Sequence, residues 1–177
     1  MDPHLQRLHD EIQLLTISLT AEELGWHPAG KWSAVEILEH LYLTYTGTTK
    51  GLSRVLASAG ACKSPTLKQR VAAMIVIQLG YFPNGIQSPA VARPRGAASQ
   101  QVLAEIVSKI GEMDAVMNTC ASKFGPHAKV MEHPFLGPLS IPQWRKFHLR
   151  HGMHHLKQIQ RLRSLMPAVV EEATDLG

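Results

Sequence analysis

Two cysteines in 177 residues, Cys62 and Cys120, are too few for a disulfide framework. Neither has a partner at metal-ligand spacing, so both read as small hydrophobes and a reducing, cytoplasmic setting is the default. No run approaches the roughly 18 consecutive apolar residues of a membrane span. The opening MDPHLQRLHDEIQLL carries acids and lacks a cationic start, so no signal peptide is expected. Aromatic residues make up only 6%, which leaves few platforms for stacking bases. There is no GxGxxG, P-loop, HExxH or GxSxG, and no RNP-like or zinc-finger signature. Internal repeats, low-complexity tracts and alternating strand patterns are absent too. A 45% apolar content excludes disorder, and the lack of a glycine period excludes a collagen-like chain. A chain of this length is expected to form one domain over residues 1–177, burying roughly 70% of its unfolded surface.

What is present is helical period. Leu5, Leu8, Ile12, Leu15 and Leu19 recur at three- and four-residue steps, the stripe of an amphipathic helix. A loop with Trp26, Pro28, Gly30 and Trp32 follows. Ser33 and Glu36 form an S-x-x-E capping box that opens a long helix to about Ala59, with Leu38, Leu41, Tyr45, Leu52 and Leu56 on its apolar face. Ser64-Pro65 starts a third, shorter helix ending near Gly80. The prolines and glycines of 81–97 mark a loop. Val102, Ile106, Ile110, Met113 and Met117 then define a helix from Ala98 to Ser122, stopped by Gly125-Pro126. HPFLGPL, 133–139, reads as irregular chain. Ser140 and Gln143 make a second capping box ahead of a last helix running to about Met166, before Pro167 and an acidic tail. Four long helices and one short one predict an all-α protein, a helix bundle.

The ten histidines are unevenly spread, with four between residues 148 and 155. At 100° per residue, Trp144, Phe147, His148, His151, His155, Gln158, Ile159 and Leu162 share an arc of about 120°. His154 points sideways, toward the charged face. An unpaired buried polar group costs on the order of 1–3 kcal/mol, and three inward histidines repeat that cost without a packing reason. His151 and His155, one turn apart, can be bridged by one metal ion, and so can His148 and His151. His148 and His155, about 10.5 Å apart along the axis, cannot comfortably share one.

A third ligand has to come from another helix. His40 sits near the edge of the second long helix's apolar stripe, where it would face either a cleft or solvent. Glu36, one turn earlier, either orients His40 or ligates, although its capping role explains it more simply. Gln158 would support the site from behind or satisfy another buried group. Tyr42, Tyr45, Tyr81 and the methionines read as packing residues. Three imidazoles with open positions suit a catalytic ion that polarises a carbonyl or activates water or a thiol. The ligand type is compatible with zinc, nickel, iron and copper.

Two stretches resemble a known family. KWSAVEILEHL (31–41) resembles the tryptophan-to-histidine stretch of the DinB-like, or YfiT-like, metal-binding proteins. HPFLGPLSIPQWRKFHLRHGMHHLKQI (133–159) resembles their C-terminal motif, with its HPxxG lead-in and HxxxHxxQI helix. The resemblance implies a four-helix bundle of up-down-down-up connectivity, often a homodimer. It also implies a divalent metal, commonly zinc or nickel, on His40, His151 and His155. Some relatives are metal-dependent transferases or isomerases that use low-molecular-weight thiols, so a small-molecule substrate, including such a thiol, is a candidate partner. His148 and His154 exceed the minimal pattern, and His148 is the candidate fourth ligand or proton carrier.

Three functions follow as expectations. The first is a metal-dependent transferase or hydrolase. The second is a non-enzymatic stress-response or interaction bundle with a structural ion. The third and least favoured is a nucleic-acid binder using the basic stripe of residues 140–170, which hold six Lys or Arg and no acid. The net charge of only +4 and the shortage of aromatics argue against it.

Overall fold

The first helix, α1 (Pro3–Ser18), begins where Asp2 accepts a hydrogen bond from the His4 backbone N–H at 2.9 Å. It buries Leu5, Leu8, Ile12 and Leu15. The computed structural model describes residues 1–58, 62, 64–83, 87–97 and 99–167. A short helix, α2 (Ala21–Gly25), opens with a Thr20–Glu23 capping box inside the segment expected to be loop. Five residues are too few to show a period, which is why spacing alone does not reveal it. In α3 (Ala34–Ala57) the Ser33–Glu36 box makes both of its bonds, and the buried face carries Leu38, Leu41, Tyr45 and Leu52 together with Glu39 and His40.

The third expected helix starts later than Ser64-Pro65. Thr66 caps α4 (Leu67–Ala73) by a third capping box with Gln69, and the chain continues as a π-helical segment, Met74–Leu79. α5 (Ser99–Phe124) follows, with Val102, Ile106, Ile110, Met113 and Met117 in the core. The helix end expected at Ala59, the start at Ala98 and the acidic tail lie outside the described residues.

One expectation is corrected outright. The stretch read as irregular belongs to a β-hairpin, in which β1 (Lys129–His133) pairs antiparallel with β2 (Gly137–Ser140). Alternation could not reveal it, because all four residues of β2 are buried and the register slips between Lys129 and Met131. Gly137 takes a positive φ of 71°, which lets the chain reverse there. Ser140 then caps α6 (Ile141–Leu165), with Pro142 in its first turn.

The long helices meet in register. Tyr42 on α3 donates to Glu105 on α5 at 2.7 Å, and Lys123 near the end of α5 donates to the carbonyl of Leu56 at 2.7 Å, so these two helices run the same way. Likewise α1 and α6 run together, from Arg145 beside Asp2 and Asp114 to Arg163 beside Ser18 and Glu23. α3 and α6 oppose one another, Tyr45 facing His148, and His40 facing His151 and His155. Their approach requires Gly152, where a Cβ would lie 2.3 Å from Leu8 Cδ1 and 3.3 Å from the Tyr45 hydroxyl. The described residues are thus mostly helical, with one small two-stranded sheet among them. Among the described residues no helix is long and apolar enough to cross a membrane.

Candidate metal centre

His40 enters the site from the buried face of α3, only 3% exposed. Its Nδ1 lies 2.7 Å from the carbonyl oxygen of Ala92. A carbonyl only accepts, so Nδ1 carries the hydrogen and Nε2 presents a lone pair. Ala92 belongs to a 3₁₀ turn, Ala90–Ala92, and the chain just beyond that turn is held down by the preceding residue of α3. The buried Glu39 carboxylate accepts the backbone N–H groups of Arg95 at 2.9 Å and Gly96 at 3.1 Å. Glu39 is a site-building residue that spacing alone missed. The available signal was an acid beside a candidate ligand histidine, within an apolar run, in LEHL.

From α6, His155 places Nδ1 2.7 Å from Gln158 Oε1. The Gln158 amide nitrogen lies 3.1 Å from His154 Nε2, completing a chain from His155 through Gln158 to His154. The His155 hydrogen is thereby held on Nδ1 and its Nε2 is bare. Both bare nitrogens face His151, whose Nε2 lies 3.3 Å from that of His40 and 3.0 Å from that of His155. One nitrogen from each of the three histidines lies within 4.8 Å of the other two.

Three neutral imidazoles cannot satisfy this arrangement among themselves. An N–H on His151 Nε2 serves one of the two facing lone pairs and leaves the other opposite a donor already used. A cation satisfies all three. Two nitrogens bound at 2.0–2.1 Å to a tetrahedral ion lie about 3.4 Å apart, close to the spacings observed. The donor set therefore fits a divalent ion. Protonation is in the required state too. Burial pushes His40 below its usual range, against the pull of the Ala92 carbonyl. Burial, with the nearby charge of His40, lowers His155 to about 3. Burial and then the other histidines take His151 well below 6.5.

Aromatic rings frame the cluster. Trp32 is 5.5 Å from His40, Phe82 is 5.8 Å from His151 and 4.9 Å from His154, and Phe147 stacks on His151 at 5.3 Å. His151 keeps partial exposure, whereas His40 and His155 are buried.

The remaining candidates lie elsewhere. His148 is fully buried against Tyr45, Trp144 and Phe147, outside the three-histidine group. Neither of its nitrogens finds a partner among the described residues, and burial lowers it to about 3. Glu36 is spent on its cap, accepting from Ser33 N at 2.8 Å and Ser33 Oγ at 3.0 Å. His133 Nδ1 accepts the backbone N–H groups of Phe135 and Leu136, so it shapes the hairpin turn. In the basic stripe, Arg145 and Arg163 pair with carboxylates, while Lys146 and Arg150 donate to Gln78.

The family profile described as "Protein of unknown function (DUF1569)" matches residues 4–162. The chain belongs to the DUF1569 family. That match takes in all three converging histidines together with Glu39, Ala92 and Gln158. No curated protein and no solved structure matches the chain.

Proposed function

We propose that this DUF1569 chain is a divalent-metal protein with an open three-histidine site, working as a metal-dependent transferase or hydrolase on a small molecule. The observation that carries the reading is the convergence of three imidazole nitrogens at 3.0 and 3.3 Å, with two of the rings fixed from behind by Ala92 and Gln158. The ligands are His40, His151 and His155, each through Nε2. A bound zinc, nickel or iron ion supplies Lewis acidity, polarising a carbonyl or acidifying a water or thiol.

The chain's own residues do the rest. Ala92 and Gln158 hold hydrogens on the Nδ1 atoms of His40 and His155, which keeps both Nε2 atoms free to ligate. Glu39 anchors the segment next to Ala92. Trp32 and Phe82 wall the cluster with apolar surface and limit water around it. Of the three histidines, only His151 is a half-buried residue, so the proposed approach of a small substrate lies on its side.

The DinB-like resemblance is carried in the same proposal. The pairing of α1 with α6 and of α3 with α5 in the same sense, and of α3 with α6 in the opposite sense, supports an up-down-down-up four-helix bundle. With it come a low-molecular-weight thiol as substrate, a homodimer as the working unit and a cytoplasmic location. The free Cys62 and Cys120 accord with a reducing compartment.

Elemental analysis of untagged protein, beside His40→Ala and His151→Ala, tests the reading. About one equivalent of zinc, nickel or iron in the wild type, lost in both variants, is expected. A folded wild-type protein that takes up no metal on reloading would overturn it, and the histidines would then be core residues.

A further inference from the structure

A cavity of about 210 Å³ opens between α4 with its π-helical extension and the hairpin with the start of α6. It shares no lining residue with the histidine cluster. Its polar wall is made by Gln69, Gln78, Gln143, Arg70 and Lys129, and no carboxylate lines it.

The three amides are oriented by chemistry. Gln69 Oε1 accepts the Thr66 backbone N–H at 2.9 Å and its hydroxyl at 3.1 Å. Gln143 Oε1 accepts the Ser140 backbone N–H at 3.1 Å and also takes a bond from Lys129 Nζ. Gln78 Oε1 accepts from Lys146 Nζ. Backbone N–H and ammonium groups only donate, so these amide atoms are oxygens and the NH₂ groups are the ends left over. No side-chain or backbone acceptor engages those NH₂ groups among the described residues.

The cations are short of acceptors as well. Within 4 Å, neither Arg70 nor Lys129 has a carboxylate partner among the described residues. Burial and the charge of Arg70 together lower the Lys129 amine. Two cations thus stand close together with no acid between them, beside three amide donors. The first turn of α6, which contributes Gln143, adds the positive end of a helix dipole. A wall of donors and positive charge is completed by a ligand that only accepts. At roughly 30 Å³ per water-sized unit, the space suffices for a tetrahedral oxyanion and some hydration.

We propose that this cleft binds a phosphate-class oxyanion, either free or as the terminal phosphate of a small molecule. Buffered sodium phosphate and glycerol phosphate are titrated at fixed ionic strength by calorimetry and thermal shift, with chloride as the reference anion. The titrations use metal-free protein and are repeated in His151→Ala, so that binding at the histidine cluster is scored separately. Saturable binding retained in His151→Ala is expected. It should weaken roughly tenfold or more in Arg70→Gln, an exposed position, and in Gln78→Glu, which keeps the acceptor for Lys146 while placing negative charge in the cleft. Tighter binding of glycerol phosphate than of phosphate identifies an organic phosphate, and the reverse identifies the free ion. Binding no stronger than chloride's, or unchanged in both variants with the fold intact by circular dichroism, overturns the proposal.

Discussion

Gln158 accepts the Nδ1 hydrogen of His155 at 2.7 Å, three residues along the same helix. That bond decides which nitrogen of His155 faces His40 and His151. Removing it with Gln158→Leu leaves all three histidines in place but frees the ring and its tautomer. Metal affinity is expected to fall about 10- to 100-fold, measured by competition with a chromophoric chelator. An unchanged affinity would show that Gln158 serves only His154.

Glu39 acts through the loop. Its two charge-assisted bonds to the N–H groups of Arg95 and Gly96 hold the chain just beyond Ala92. Glu39→Ala should cost on the order of 2–4 kcal/mol in urea unfolding, because it leaves two backbone donors without their acceptor. It should also weaken metal binding, although Glu39 is not a ligand. Loss of stability with full metal affinity would separate the loop from the site.

The histidines make stability depend on pH, and the sign follows from their depressed values. His148 titrates at about 3 when folded against 6.5 when unfolded, so between those values the unfolded chain binds the extra proton. Its contribution is fully present above pH 6.5 and is lost as the pH falls toward 3. For His148 alone the loss from pH 7.5 to 5.0 is about 2 kcal/mol in metal-free protein. His148→Leu should reduce the pH slope and leave metal content unchanged. An undiminished slope would place the titration elsewhere.

Metal binding itself should follow the same direction. Ligating imidazoles must be neutral, and unfolding or opening of the site at low pH protonates them. While the site stays folded, His155 is neutral down to about pH 3 and burial also depresses His40 and His151. Affinity should therefore hold between pH 7.5 and 5.5 and fall only toward those depressed values or where the site opens. A roughly tenfold or larger drop between pH 7.5 and 5.5 with the fold intact would show that the ligands titrate near 6.5 and are not the three buried rings.

Gly152 tests the packing that brings α1, α3 and α6 together. Gly152→Ala places a methyl 2.3 Å from Leu8 Cδ1, and overpacking of this kind costs about 1–3 kcal/mol, outweighing the helical gain of alanine. In a Leu8→Ala background the same change should be neutral or favourable. Additive costs in the double variant would show that the clash is not with Leu8.

Helix positions were largely legible because apolar stripes and capping boxes are local signals. Ser33–Glu36 and Ser140–Gln143 open α3 and α6 where spacing places them. The hairpin was not legible, since its second strand is buried throughout and its pairing joins residues that carry no alternation. Thr66–Gln69 is an equally local capping pattern, one residue past the proline from which the helix is expected.

The candidate site divides the same way. An i, i+4 pair on an apolar face put His151 and His155 together before any fold was known, because one helical turn sets their distance. Spacing left His40 between cleft and solvent, and the opposed packing of α3 on α6 carried it to 3.3 Å from His151. Glu39, Ala92 and the donor-lined cleft depend on segments far apart in sequence, joined by bonds whose partners no local pattern names. The sequence by itself determined the long helices and their inward faces, and narrowed the α6 pair to His151 with either His155 or His148. Tertiary structure alone decided the third nitrogen, the tautomers behind it and where unpaired positive charge collects, because convergence is a property of packed helices and not of any one of them.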